Sequence, residues 1–289
     1  MEIVKQKLKI IECPRDAMQG LSFFVPTEMK IQYLNLLLKV GFDTLDFGSF
    51  VSPKAVPQMA DTAEVLAGLD LSSTQTKLLA IVANMRGVET ACSHPEIHYL
   101  GFPLSVSETF QQRNTNAGIE QGIELIKQTL DSCAKTHKEL VVYLSMAFGN
   151  PYKDNYSIEL VSDYTGILQE MGVQIVSLAD TVGLASADDV KTLGQKIISQ
   201  FPDLEIGMHL HSNPISAKEK LAAALTTGCL RIDTALYGLG GCPFAEDELV
   251  GNMPTETIID LISESKLEIN LNLEILGKAK EFLLTKILI

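Results

Sequence analysis

The sequence predicts an α/β protein, a single (β/α)8 TIM barrel with an additional C-terminal helix, in one domain spanning residues 1–289. Three observations predict it. Eight short apolar, β-branched runs alternate with longer segments of helical period, the pattern of parallel strands covered by helices. No proline- or glycine-rich linker and no shift in composition divides the chain. Residues with chemical capability cluster just past the ends of the runs, where a barrel gathers its loops into one mouth. An open doubly wound sheet is the alternative that the alternation alone leaves open.

The eight runs are Lys9–Glu12, Thr44–Phe47, Leu78–Ala83, Ile97–Leu100, Val141–Met146, Gln174–Leu178, Ile206–Leu210 and Ile232–Leu236. Between them, Thr27 is read as the cap of a helix through Met29, Ile31, Leu34, Leu37 and Leu38, stopped by Gly41. Thr115–Lys135 repeats apolar residues at Ile119, Ile123, Ile126 and Leu130. Ser157–Met171 stops at Gly172, Ala187–Ser199 before Phe201-Pro202, and Ser216–Thr227 at Gly228. Thr255–Glu264 follows the last run, and Asn272–Leu288 reads as an amphipathic helix within a C-terminal extension of about residues 266–289.

Composition excludes several classes of function. With 46% hydrophobic residues the chain can build a large core, yet it lacks the long unbroken apolar stretch of a membrane span. A formal net charge of −13 disfavours a phosphate backbone as partner, so no nucleic acid is expected. The N-terminus shows neither a secretory signal nor a transit peptide, which points to the cytoplasm. Five cysteines at irregular spacing are no disulfide framework. Cys13, Cys92, Cys133 and Cys229 read as small buried hydrophobes.

The chemistry-bearing residues follow the runs. Arg15-Asp16 comes after the first, Asp46 ends the second with Ser49 just beyond, and Asp180-Thr181 follows the sixth. His209-Leu210-His211 closes the seventh; on a strand, residues i and i+2 share a face, so both imidazoles can grip one ion. Two histidines in a polar loop is the plainer reading, which the position at a strand end weakens. A carboxylate, two imidazoles and an amide oxygen suit octahedral Mg²⁺ or Mn²⁺ better than a thiolate zinc site. Arg15 beside a metal would be a fixed cation for a developing oxyanion. Cys242 sits in the glycine-rich run Gly238-Leu239-Gly240-Gly241-Cys242-Pro243, which can serve as a lid over the mouth. Asp180 reads as a structural carboxylate at least as readily as a catalytic one, and Glu246-Asp247-Glu248 as a solvated loop.

With these residues assembled, the chain resembles the hydroxymethylglutaryl-CoA lyase family, within the larger group of TIM-barrel metallolyases that carry an Arg-Asp signature. The matching stretches run from Ile11-Glu12-Cys13-Pro14-Arg15-Asp16 and Gly48–Asp61 through Ser177–Gly183 and His209-Leu210-His211 to Gly238–Ala245. The resemblance implies Asp16, His209, His211 and Asn252 as ligands of a divalent cation, Mg²⁺ or Mn²⁺. It implies Arg15 at the thioester carbonyl, Cys242 in proton transfer, and Asp46 in place of the family's second-strand glutamate. Gln19, Ser49, Asn84, Ser177 and Thr181 would line the substrate pocket, with Lys54 near a CoA-binding surface. The implied reaction cleaves 3-hydroxy-3-methylglutaryl-CoA, an acyl-CoA, to acetyl-CoA and acetoacetate, as in leucine degradation, in a cytoplasmic homodimer. Departures occur: Ala17 and Gly20-Leu21 within the family's D-G-L-Q-N-E, Asp46 for glutamate, Ser212 for the aspartate after H-x-H, and a longer loop before Asn252. A lyase or Claisen-type synthase acting on a related 3-hydroxy-acyl thioester, or a lapsed barrel that only binds metal or thioester, remains open.

Overall fold

A computed structural model describes residues 6–241, 250–263, 265 and 267–288. Eight parallel strands close on themselves: β1 (Lys9–Glu12), β2 (Thr44–Ser49), β3 (Lys77–Ile81), β4 (Ile97–Ser105), β5 (Glu139–Ser145), β6 (Ile175–Asp180), β7 (Glu205–Ser212) and β8 (Arg231–Thr234). Each pairs with the next in sequence, and β8 pairs with both β7 and β1, with Ile10 opposite Ile232. That last pairing makes the sheet a barrel and excludes the open alternative.

The strands read as near-continuous apolar runs because both faces are buried. Side chains alternate, so one face of each strand points inward. Leu78, Leu100, Val142, Leu144, Val176 and Leu178 belong to the large core between strands and helices. Leu79, Tyr99, Val141, Tyr143 and Ile175 form a separate small cluster inside the barrel.

The expected helices follow the periodicity, with corrections at their ends, while Pro14–Gln19, Thr62–Ala67, Met85–Cys92 and Glu108–Thr115 are further helices too short to show a period. Thr27 does not cap its helix: Pro26 occupies the cap of Thr27–Leu38, and the Thr27 hydroxyl donates to Asp61 at 2.8 Å. The helix expected over Thr115–Lys135 starts later, as Ile119–Thr136, because Thr115 instead ends a separate helix, Glu108–Thr115, that a left-handed Asn116 at φ 55° terminates. Ser157 caps Ile158–Glu170 by accepting from the Leu160 N–H, as the side-chain chemistry of serine favours. Asn272 likewise caps the C-terminal helix Leu273–Phe282, which continues as a π-turn, Leu283–Ile287, and packs on Thr27–Leu38. No helix among the described residues is long and apolar enough to cross a membrane.

Glu12, at the end of β1, is fully buried. It accepts hydrogen bonds from the Leu236 N–H at 2.8 Å and the Thr255 hydroxyl at 2.6 Å, tying β1 to the chain on both sides of the Gly238 loop. Burial pushes its carboxyl up to about 8, against the hydrogen bonds that favour the anion. The folded protein therefore holds a proton that the unfolded chain releases between about pH 4.5 and 8. Stability should fall as pH rises through that window, by up to about 1.4 kcal/mol per pH unit. Glu12→Gln removes this titration, so urea unfolding at about pH 5 and pH 8 should show a flatter dependence in the variant. Equal slopes in the two proteins would place the proton elsewhere.

Candidate metal and substrate site

The site starts from a short helix set directly on β1. Pro14 occupies its first turn, where the missing N–H costs nothing, and the helix runs Pro14–Gln19. Its spacing brings Asp16 and Gln19, three apart, and Arg15 and Gln19, four apart, within reach of each other. Arg15 Nη1 donates to Asp16 Oδ1 and to Gln19 Oε1, each at 2.9 Å. Gln19 in turn donates to Asp16 Oδ1 at 2.9 Å. On its other edge the guanidinium grips Asp46 within β2, Nε at 3.0 Å and Nη2 at 2.5 Å to Oδ2. This fork leaves the second Nη2 hydrogen for an acceptor in the cavity.

Burial works against charge at every one of these groups, and the neighbours decide the outcome. At Asp16, Arg15 and the two histidines outweigh burial and hold the carboxyl at about 2. At Asp46, burial prevails over Arg15 and lifts the carboxyl to about 6. Arg15 itself is disfavoured by burial, but the two carboxylates lift it further above its already high value.

β7 supplies the imidazoles. His209 and His211 face inward with ring centroids 4.9 Å apart. The His211 Nδ1–H donates to the Thr181 carbonyl at 2.9 Å, and since a carbonyl only accepts, the tautomer is fixed with a bare Nε2. That Nε2 is buried without a hydrogen-bond partner among the described residues and lies 3.9 Å from Asp16 Oδ2. Burial and the neighbouring His209 push His211 down, keeping it the neutral ligand form. The His209 Nδ1–H donates to Asp233 Oδ2 at 3.0 Å; burial opposes its protonation, yet Asp233 raises it overall. The carboxylate–histidine pairing is the outer support usual for metal ligands.

Asn252 completes the cluster from across the chain. The short strand Gly251–Asn252 pairs antiparallel to the end of β7, with Asn252 opposite His211. Its amide nitrogen donates to Asp16 Oδ2 at 2.6 Å and to the Leu239 carbonyl at 2.8 Å. The glycines before it answer to crowding: a Cβ on Gly240 would lie 2.7 Å from the Asp16 carbonyl and 2.8 Å from Asn252 Nδ2, and one on Gly241 2.1 Å from the Val250 carbonyl. Both have positive φ, 91° and 142°. Cys242 and Glu246-Asp247-Glu248 lie outside the described residues.

Ligand atoms of Asp16, His209 and His211 all fall within 4.8 Å of one another. The orphaned Nε2, the low-lying carboxylate and the oxygen/nitrogen donor set fit a divalent cation. They line a cavity of about 440 Å³ at the barrel mouth, together with Arg15, Gln19, Ser49 and Thr181. Leu21, Val51, Val56, Pro103 and Phe110 add apolar side chains to the lining. A larger hollow between outer helices, lined by Glu108, Glu120, Asp163 and Tyr164, holds none of these groups.

The structure does not bring every expected residue to this cavity. Asn84 caps the helix Met85–Cys92, accepting from the Gly87 N–H, and Ser177 is buried inside the barrel beneath the cavity. Asp46 stands behind Arg15 as its counter-ion. Lys54 is exposed between Val51 and Ala55, which line the rim. Asp180 accepts from the buried Lys220 ammonium at 2.9 Å and from the Ala185 N–H, the structural reading. Cys13, Cys133 and Cys229 are buried free thiols, and Cys92 is half-buried. Sequence reasoning missed Lys220, which also donates to the His211 carbonyl at 2.9 Å, and Asp233. Asp233 did carry a signal, a lone carboxylate inside an apolar run; Lys220, one of several polar residues on a surface helix, carried none.

Residues 7–283 match the HMGL-like family. The chain belongs to it. Among its relatives, the hydroxymethylglutaryl-CoA lyase YngG of Bacillus subtilis (strain 168) is 32% identical over 270 residues, 93% of this chain and 89% of that one. The crystal structure of the Bacillus subtilis HMG-CoA lyase superposes with a TM-score of 0.89 at 32% identity, covering 96% of this chain and 93% of its own. An HMG-CoA lyase from Acinetobacter baumannii, solved with coenzyme A and 3-methylmalate, gives a TM-score of 0.89 at 28% identity, covering 98% and 92%. This HMGL-like barrel thus shares both its sequence family and its architecture with these lyases.

Mn²⁺ is a direct probe of the cluster. At about 100 times its dissociation constant a bound cation stabilises by about 2.7 kcal/mol. That should raise the melting midpoint of the wild type by several degrees, and the rise should vanish in His211→Ala. An undiminished rise in that variant would remove His211 from the ligand set.

Proposed function

We propose that this HMGL-like protein is a carbon–carbon lyase that cleaves 3-hydroxy-3-methylglutaryl-CoA to acetyl-CoA and acetoacetate. The observation that carries the reading is the Asp16–His209–His211 cluster abutting the Arg15 guanidinium in the lining of a cavity that also presents apolar side chains. The family match and the lyases among its relatives point the same way.

Retro-Claisen cleavage needs two charges managed close together, at the C3 hydroxyl that loses its proton and at the thioester oxygen that gains electron density. A divalent cation held by Asp16, His209, His211 and the Asn252 amide oxygen would acidify a hydroxyl that it binds. Because Asn252 directs its nitrogen at Asp16, its amide must turn to offer that oxygen. Arg15 meets the second charge. Its free Nη2 hydrogen stabilises the enolate oxygen of the departing acetyl-CoA, and Asp46, Asp16 and Gln19 keep the guanidinium from rotating away. Gln19, Ser49 and Thr181 offer polar contacts to the acyl group, and the apolar side chains of the lining limit water around the carbanion. The enolate carbon then takes a proton, for which the Cys242 thiol, ordinarily near pKa 8.5, is a suitable donor.

The cation is Mg²⁺ or Mn²⁺ in this reading, matched to a set without thiolate. The chain acts as one catalytic domain, as a cytoplasmic homodimer in leucine breakdown, with Lys54 at the rim for the CoA phosphates; these parts rest on the family resemblance. Purified protein given hydroxymethylglutaryl-CoA and either cation should release acetoacetate and acetyl-CoA in equal amounts. Arg15→Lys keeps the charge but loses the fork, and should lower kcat about 100-fold or more with the fold intact. Folded, cation-loaded wild type without turnover would sink the proposed substrate.

A further inference from the structure

Bordering the cavity, which the Tyr143 side chain helps to line, is a row of buried polar groups that the reaction above does not use. Tyr143 on β5 pairs with Ser177 on β6, Ser177 with Gly207 on β7, and Gly207 with Arg231 on β8, making one row around the inner wall. Gly207 leaves the space the row needs: a Cβ there would lie 3.1 Å from Arg231 Cδ and 3.2 Å from Ser177 Oγ. The Arg231 stem and the Ser177 hydroxyl therefore both pack over Gly207. Asp233, two residues beyond Arg231 and on the same inward face, is the residue that holds His209. The Tyr143 ring meets His209 edge-on, centroids 5.6 Å apart.

Arg231 is wholly buried, with its guanidinium 5.4 Å from the centre of the Tyr99 ring; among the described residues its one side-chain hydrogen bond runs from Nη1 to Glu205 at 3.3 Å. Its Nε and Nη2, the hydroxyls of Tyr143 and Ser177, and Asp233 Oδ1 are all buried with no partner among the described residues. A native interior rarely leaves polar atoms unpaired, and here they fall on four neighbouring residues. The set is complementary: Arg231 only donates, Asp233 Oδ1 only accepts, and the hydroxyls do both. Such a set asks for a small molecule that donates and accepts at once. An anion fits poorly, because the carboxylates of Glu205 and Asp233 already balance Arg231 and Lys9, which itself donates to Glu205 at 2.5 Å. Water fits; a buried water typically makes about three hydrogen bonds to groups of this kind.

We propose that Tyr143, Ser177, Arg231 and Asp233 bound an internal water site that ties Asp233 Oδ1 to Arg231 and thereby positions His209 for cation binding. This rests on the reading of His209 as a cation ligand, and on no particular substrate. With Oδ1 held through water and Oδ2 on the His209 Nδ1–H, the carboxylate cannot rotate. His209 then keeps one tautomer and aims Nε2 at the cluster. Arg231 and Tyr143 act as positioning residues.

Tyr143→Phe tests this by deleting one oxygen while keeping the ring against His209; Arg231→Met removes the opposite donor. Both are titrated with Mn²⁺ by electron paramagnetic resonance without substrate, and the His209 ring nitrogens are followed by 15N NMR in the cation-free protein. The expected result is Mn²⁺ binding weakened about 10-fold, the lower end for outer supports of metal ligands, with a mixture of His209 tautomers. Wild-type affinity and unchanged 15N signals in Tyr143→Phe, with equal or higher thermal stability, would overturn the proposal, because loss of a truly unpaired hydroxyl relieves a penalty. An unaltered binding series alongside a failed lyase assay, or the reverse, separates this inference from the proposed reaction.

Discussion

The pairing of β8 with β1 is the constraint on which the rest depends. It closes the barrel, and it places the helix that starts at Pro14 beside the chain that returns at Gly251. Asp16 and Asn252, 236 residues apart in sequence, meet at 2.6 Å only because of that closure. Glu12 secures the same seam from below, anchoring Leu236 and Thr255 to the end of β1. A closed sheet has no edge along which the seam could slip, so the register that aligns Ile10 with Ile232 also sets the geometry of the mouth.

Within the mouth, positions are fixed by hydrogen bonds from behind. His211 owes its bare Nε2 to the Thr181 carbonyl, and His209 its orientation to Asp233. Arg15 is held on one edge by Asp46 and on the other by Asp16 and Gln19. Lys220 adds a buried ammonium that joins Asp180 to the His211 carbonyl, linking the ends of β6 and β7. Groups fixed in advance need little reorganisation when charge develops, which is the physical basis of electrostatic stabilisation in a partly dry site.

The same arrangement accounts for departures from the family pattern. An aspartate at position 46 is shorter than a glutamate, yet it reaches Arg15 through two oxygens because the Pro14–Gln19 helix brings the guanidinium close. Ser212 shares a hydrogen bond of 2.6 Å with Ser216, at the start of the helix Ala217–Thr226. Gly20 is unconstrained by neighbours and leads the chain to Leu21 in the lining of the cavity.

The sequence by itself marked the eight strands, the longer helices and the residues that carry ionic chemistry, but not the short helices Pro14–Gln19, Thr62–Ala67, Met85–Cys92 and Glu108–Thr115. The marks are local properties: hydrophobic period, turn glycines and side-chain type all act within a few residues. Arg15, Asp16, His209 and His211 were legible because reactive side chains stood at the ends of apolar runs. Only the tertiary structure decided which of them meet, since closure brings remote strand ends together and contact energies depend on distance. It moved Asn84 to a helix cap and Ser177 into the barrel interior, because an inward-facing position low on a strand cannot reach the mouth. It also revealed Asp233, Lys220, Tyr143 and Arg231 as supports. Their importance lies in partners far along the chain, and no local pattern encodes a hydrogen bond across a barrel.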